Sequence, residues 1–379
     1  MVIGFDFRMG GSINAGIGRY SFELLDAMLE NKQHSFVVFY NPKNVSRQDL
    51  NILTSKGAKL VAAPFRHYSL GEQILFPRLL KKYKLDLVHF PNFNVPIFYR
   101  GPYVVTIHDM VHHKISGQKK STYWKFLAYK YIISQAAKRA RRIISVTEAA
   151  KQEIVDYLGT DPNKISVTLE APGRKLDQIF DSQKLKDLYL LRRPYLLFCG
   201  TLERKKNVVM LAQGFDLFLE KYKLDLDLVI AGKVDMHYPE IKEQALRIKN
   251  ADHLVFTGFV ENDKQAALYQ NAYAFITASL HEGFGLPGLE AMQYGLPVLA
   301  SNTAVLNEVY DNAAIYFDPL SAEDIADKIN ILVSDPPFHE QQQRKSIERV
   351  AHYSWNETAR KTLEVYSEVL DNNFLPEQE

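Results

Sequence analysis

Short apolar runs rich in β-branched residues alternate along this chain with longer segments of helical period, and the alternation breaks off once and then restarts. In the first half the runs are VIGFDF (2–7), SFVVFY (35–40), AKLVAA (58–63), LDLVHF (85–90), PYVVTI (102–107) and RIISVT (142–147). Helical candidates at 17–30, 69–83 and 119–140 lie between them. Strands alternating with helices predict right-handed βαβ units on a parallel sheet. After the charge-dense stretch 174–193 the pattern resumes with PYLLFCG (194–200), LDLVIAG (226–232), HLVFTG (253–258), AYAFITAS (272–279), LPVLAS (296–301) and AAIYFD (313–318). We therefore expect two tandem doubly wound α/β domains, 1–180 and 190–354, with the boundary near 175–190. Ligands of such sheets bind beyond the C-terminal strand ends, so loops of both domains should face an interdomain cleft.

Length agrees, because 379 residues exceed what one hydrophobic core organises. A net charge of +2 excludes a strong global field. Cys199 is the only cysteine, so neither an intrachain disulfide nor a cysteine metal cluster can form, which fits a reducing compartment. The opening MVIGFDFRMGG reads as a strand rather than a signal peptide, and no stretch reaches the length of a spanning helix. The expected location is cytoplasmic.

The loops at the strand ends carry the chemistry. RMGGSINAGIGRY (8–20) follows the first strand, and its glycines, Gly16 and Gly18 among them, suit close approach of backbone N–H groups to an oxyanion. A dinucleotide fingerprint counted from Gly16 finds Gly18 but then Ser21, and no acidic residue closes SFVVFYNPKN, so a nicotinamide site is disfavoured. A merely flexible loop remains open. TIHDM (106–110) puts His108 at a strand tip, as a structural or a functional residue. GTLERKKN (200–207) sets Lys205 and Lys206 ahead of a helix starting near Asn207, either as a diphosphate clamp or as a solvated charge run.

HEGFGLPGLE (281–290) places Glu282 and Glu290 around three glycines. Pro287 is the expected first helical residue and Gly295 the stop. The glycines 283, 285 and 288 then let a helix N-terminus approach a phosphate, while the acids accept hydrogen bonds from hydroxyls at two ends of one ligand. A carboxylate favouring the helix dipole would account for Glu290 alone.

At these residues the chain resembles the retaining nucleotide-sugar glycosyltransferases of GT-B architecture, the large family with an E-x7-E motif, here Glu282 to Glu290. The resemblance runs through GIGRY, LVHFPNFNVP, VVTIHDM, VTEAAKQEI, GTLERKKN, TGFV, EGFGLPGLEAMQYGLPVLAS and YSWNETAR. It implies two Rossmann-like domains, with a last helix at about 355–371 returning to the first. It also implies that Glu282 binds donor-sugar hydroxyls and that backbone at Gly283, Phe284, Gly285 and Leu286 lines sugar and diphosphate. Glu290 would hold the ribose, Lys206 the phosphate, and His108 would sit beside the reacting sugar. The Gly16–Gly18 loop would close over the diphosphate. Lys205 stands where many relatives carry arginine, so bidentate phosphate contact is lost there. The implied reaction is glycosyl transfer with retention, without a metal or other cofactor, since lysines and a helix dipole can stabilise the leaving diphosphate. The wording of HFPNFNVP and TLE-x-x-KN is similar to the mannosyltransferase-like branch of glycosyltransferase family 4 that builds bacterial surface polysaccharide, such as lipopolysaccharide. That makes GDP-mannose the leading donor and a glycan or lipid-linked saccharide the acceptor. Rival readings are a GT-B phosphorylase, a nucleotide-sugar epimerase, or a non-catalytic sugar-nucleotide-binding module.

One further segment, 117–142, holds eight Lys or Arg and no Asp or Glu, interleaved with Tyr123, Trp124, Phe126, Tyr129 and Tyr131. As a helix it suits an anionic membrane surface, making the protein peripheral on the inner face of the membrane, or else it is a partly buried helix of the first sheet. Nucleic acid is not expected, because no binding motif accompanies it.

Overall fold

A computed structural model of the chain describes residues 1–11, 15–67, 69–110, 120–176 and 180–372. It divides into two compact units, Met1–Ala171 together with the segment from Ser354, and Pro172–Tyr353. Residues 172–176, assigned from sequence to the first domain, are held by the second. Lys175 Nζ donates to the Gln293 carbonyl at 3.0 Å, and Gln293 Nε2 donates to that of Gly173 at 3.1 Å.

The first unit is built on strands β1 (Val2–Phe7), β2 (Ser35–Tyr40), β3 (Lys59–Ala62), β4 (Leu87–Phe90), β5 (Tyr103–Ile107), β6 (Arg142–Ser145) and β7 (Ile165–Val167). They pair in parallel in the order β3-β2-β1-β4-β5-β6-β7. Every residue of β4 and β5 is buried, as expected of strands covered on both faces. Its helices are α1 (Ala15–Asn31), α2 (Arg47–Ser55), α3 (Leu70–Lys81), α4 (Lys120–Arg139) and α5 (Glu148–Leu158). Ser46, Ser69 and Thr147 cap α2, α3 and α5, each accepting from the N–H three residues on. On one face of the sheet Phe76 and Leu80 of α3 share a core with Tyr129, Ile133 and Ala136 of α4. The three-residue edge strand β7 was not expected, because ISV is too short to show a period.

The second unit repeats the plan with β8 (Tyr195–Cys199), β9 (Asp227–Ala231), β10 (Leu254–Gly258), β11 (Ala274–Thr277), β12 (Val298–Ser301) and β13 (Ala314–Phe317), all parallel, in the order β10-β9-β8-β11-β12-β13. Around them lie α6 (Ser182–Tyr189), α7 (Val208–Tyr222), α8 (Glu240–Ala245), α9 (Asn262–Asn271), α10 (Leu286–Gln293), α11 (Ala304–Tyr310), α12 (Ala322–Ser334) and α13 (Pro336–Val350). The last helix, α14 (Trp355–Asn372), belongs to the first unit, where it packs along α1. No helix among the described residues is long and apolar enough to cross a membrane.

Both sheets reverse direction once. From β8 the chain builds outward to β9 and β10, then returns to place β11 on the other side of β8. In the first sheet the same reversal falls between β1 and β4. Loops diverge at such a switch point and leave a crevice beyond the strand ends.

Candidate active site

In the second unit the crevice lies between the ends of β8 and β11. The loop after β8 carries Lys205 and Lys206 and turns through Asn207, left-handed at φ 54°, into α7. The loop after β11 carries Glu282 and leads into α10. The Leu280 N–H donates to the Lys205 carbonyl at 2.7 Å, which fastens one loop to the other. Across that seam Lys206 Nζ donates to Glu282 Oε1 at 2.5 Å, each side chain only 12% exposed. Burial alone would raise the Glu282 pKa, but the charge and hydrogen bond of Lys206, helped by Ser279 and Lys205, hold it below the usual carboxylate range. Lys205 Nζ lies 3.4 Å from Glu203, a looser and more exposed pairing.

Helices α7 and α10 both start at this crevice, and among the described residues no side chain caps either one. The first N–H groups of a helix lack intrahelical partners and carry the positive end of its dipole, so two such ends beside two lysines make a strongly anion-attracting floor. The first residue of α10 is Leu286, with Pro287 next and Gly285 as the left-handed cap at φ 103°.

The glycines of this loop have a cause the sequence did not reveal. A Cβ on Gly288 would lie 2.2 Å from Tyr310 Oη, and one on Gly285 would lie 2.7 Å from it. Tyr310, fully buried at the end of α11, donates its hydroxyl to the Gly285 carbonyl at 2.6 Å. Burial and the nearby Glu282 charge push its own pKa up. Gly285 and Gly288 are thus required by an internal ring, whatever else approaches them. Phe284 is likewise a core side chain, edge-on to Tyr353 at 5.8 Å, so only its backbone is available to a ligand. Glu290 sits in the second turn of α10, 7% exposed, where it accepts from Tyr269 Oη at 3.1 Å and Gln265 Nε2 at 3.4 Å.

In the first unit His108 stands just past β5 with both ring nitrogens engaged. Nδ1 is 2.9 Å from Glu170 Oε1, and Nε2 is 2.9 Å from the Pro91 carbonyl at the end of β4. Both partners are acceptors, so only the doubly protonated ring satisfies both. Burial opposes that charge, yet Glu170 outweighs it, with the Pro91 carbonyl and Asp109 assisting, and the His108 pKa rises. The Tyr20 ring meets His108 edge-on at 4.6 Å. Glu170 escaped the sequence reading, although its place beyond a strand end in VTLEAPG would have pointed to it once β7 was recognised. Arg8, fully buried between Asp6 at 2.7 Å and Glu72 at 2.9 Å, also went unnoticed.

One expectation needs correction here. Gly16 and Gly18 are not loop residues, because α1 already begins at Ala15. Gly16 is exposed, and a Cβ there would meet nothing within 4 Å among the described residues, whereas Gly18 is buried and its carbonyl accepts from the Gly11 N–H at 3.1 Å. Residues 12–14 lie outside the described residues. The aromatic face of 117–142 is in part core, since Tyr129 is buried and Phe126 half-buried against it, while Tyr131 is 57% exposed. Residues 117–119 and the side chains of Tyr123 and Trp124 lie outside the described residues.

The family model described as Glycosyltransferase Family 4 matches residues 14–168, and that described as Glycosyl transferases group 1 matches 182–349. The chain is 31% identical over 244 residues to the serotype-specific mannosyltransferase WbdA of Escherichia coli, covering 62% of this chain and 30% of that protein. It therefore spans about a third of the length of the first curated relatives it matches. It is 26% identical over 368 residues to the O-antigen chain mannosyltransferase B of Escherichia coli, covering 93% of this chain and 95% of that one. Among solved structures, Anabaena HepE in complex with UDP-glucose superposes with a TM-score of 0.74 at 15% identity, covering 97% and 100% of the two chains. The two tandem parallel sheets are those of the GT-B fold, and the chain belongs to the GT-B glycosyltransferases, with a family 4 first half and a group 1 second half.

Proposed function

We propose that this chain is a retaining glycosyltransferase that moves a hexosyl group, mannose from GDP-mannose first among the candidates, onto a glycan or lipid-linked saccharide in surface-polysaccharide synthesis. The observation that carries the reading is the Lys206–Glu282 pair set between two uncapped helix N-termini at a switch point. In this reading the diphosphate lies against the starts of α7 and α10, with Lys206 and, more weakly, Lys205 offsetting its charge. An ammonium has three donors and a carboxylate about four acceptor positions, so Lys206 and Glu282 can keep each other and still bind phosphate and sugar hydroxyl. Glu290, reached through the backbone of Gly283 to Leu286, takes the ribose. His108 supports the reacting sugar as a cation held by Glu170. The developing charge on the leaving diphosphate is met by fixed donors, so the reading calls for no metal. In this reading the first turn of α1, where Gly16 is exposed and Gly18 buried, offers its backbone to the diphosphate. The names of the relatives favour mannose as the transferred sugar.

The second partner is an anionic membrane surface. Lys130, Tyr131, Leu127 and Lys138 face outward from α4. On α3, Leu70 is 80% exposed and Leu75 47% exposed, with Arg78, Lys81 and Lys82 also exposed. The two helices share one core, and Arg139 and Gln73 both bond to Ile97 of the chain between them. Apolar side chains rimmed by lysine and arginine suit acidic headgroups.

The test is thermal stabilisation by a panel of nucleotide sugars, followed by product analysis with a mannose-terminated acceptor. GDP-mannose should raise the melting temperature most, and the product should keep the donor's anomeric configuration. A larger shift with UDP sugars overturns the donor. Nucleotide release independent of acceptor, or none at all, overturns the transfer reading.

A further inference from the structure

His108 is reached from α14 by two separate routes. Thr358, 2% exposed, donates its hydroxyl to the Leu169 carbonyl at 2.6 Å, and the next residue is Glu170, the carboxylate on His108 Nδ1. Two turns further along, Tyr366 Oη lies 2.5 Å from His89 Nδ1. His89 Nε2 lies 2.8 Å from Thr106 Oγ1, which lies 3.1 Å from Tyr20 Oη. The Tyr20 ring is the one set edge-on against His108, and Trp355 at the start of α14 closes on the same ring at 5.9 Å. Tyr366, His89, Thr106 and Tyr20 have no solvent exposure.

A buried polar chain of this kind is shut off from bulk solvent, so its groups are satisfied by one another and hold one another's geometry. His89 suits the middle position because, as a neutral ring, it accepts at one nitrogen and donates from the other, linking two hydroxyls. Burial, reinforced by His108, lowers its pKa to about 3, which keeps it neutral.

We propose that α14 is a positioning element for His108, its Thr358 holding the strand end that carries Glu170 and its Tyr366 holding Tyr20 through His89 and Thr106. The proposal rests on the reading that places His108 beside the reacting sugar. It makes Thr358, Tyr366 and His89 positioning residues. Docking of the C-terminal helix then becomes a condition for orienting a ring at the far end of two strands.

The experiment uses the full chain, with Thr358→Val and Tyr366→Phe as tests and Thr358→Ser as the conservative control. The first readout is the imidazole N–H signals of His108 and its titration by NMR, without substrate. The groups facing that ring are Glu170, Asp109, His89 and Tyr20, and they remain in all three variants. In Thr358→Val and Tyr366→Phe the His108 signals should move and its titration midpoint should fall towards the ordinary value. In Thr358→Ser they should not. The second readout is turnover with GDP-mannose, where kcat should drop about tenfold in both test variants with donor KM unchanged. Unmoved His108 signals in both folded test variants overturn the proposal. If Thr358→Val does not fold, the milder Tyr366→Phe decides alone. Signals that move with unchanged kcat leave the positioning intact and overturn the catalytic reading of His108 instead.

Discussion

Lys206 and Glu282 meet at 2.5 Å across the seam between the loops after β8 and β11, each the other's charged partner at the floor of a crevice that both helix N-termini make positive. Breaking a largely buried pair from one side leaves the other charge uncompensated, so Lys206→Ala should lower stability by about 1–3 kcal/mol. The pH dependence has a definite sign. Glu282 titrates lower in the folded protein than its ordinary value of 4.5, so its contribution is present above that value and lost as pH falls through the folded one. Urea unfolding from pH 6 down to 3 should show that loss in the wild type and a shallower one in Lys206→Ala. Parallel curves would mean the pair contributes nothing. Turnover in Lys206→Ala should fall by about 2–4 kcal/mol of transition-state stabilisation, read as kcat/KM.

The two acids should fail differently. Glu290→Gln should weaken the nucleoside diphosphate and the intact donor alike, by about 1–3 kcal/mol for a charged hydrogen bond. Glu282→Gln should leave the diphosphate nearly as tight and weaken the donor, since only the donor carries the sugar. Calorimetric titration with both ligands checks this. Equal damage to the bare diphosphate by both variants would remove the assignment of one acid to each end.

Glycines at two helix starts should respond in opposite directions. Gly288→Ala forces a methyl against the buried Tyr310 ring and should cost about 1–3 kcal/mol in unfolding free energy. Gly16→Ala adds a methyl that meets nothing within 4 Å among the described residues, within a helix, and should be stabilising by about 0.5 kcal/mol. If the diphosphate approaches that turn, the same Gly16→Ala variant should bind donor less tightly, which a donor titration reads directly.

His108 carries the reverse pH signature from Glu282. Its pKa is raised in the folded protein above the ordinary 6.5, so its contribution is fully present below that value and lost as pH rises through the folded one. Glu170→Gln should lower the His108 midpoint seen by NMR and flatten the loss of stability above about pH 6.5. An unchanged midpoint would show that Glu170 does not hold the charge.

The surface made by α3 and α4 should bring the protein down with anionic vesicles and release it at high salt, since exposed charges are screened. Replacing Leu70 and Tyr131 together by Ser should weaken that binding while leaving Tm within a degree or two. Equal partition to neutral and anionic vesicles would leave α4 as no more than a covering helix of the first sheet.

The order of elements was legible in the sequence because both sheets are parallel and covered on both faces. Such strands must be continuous apolar runs, and VIGFDF and PYVVTI announce themselves as such before any contact is known. The same holds for the loops that carry Lys206, Glu282 and His108, because a strand's end is where its apolar run stops. Pairings between loops were not legible. Nothing local in GTLERKKN says that Lys206 meets Glu282, 76 residues away, rather than solvent. Nor does TIHDM announce that His108 is claimed by Glu170 after a strand too short to show a period. The glycines at 285 and 288 are the sharpest case. Their spacing suggested bare backbone for a phosphate, and the tertiary fold supplied a tyrosine hydroxyl from α11 that occupies the space a Cβ would need. A sequence records which positions tolerate no side chain, but the obstacle itself comes from another element, and only packing brings the two together.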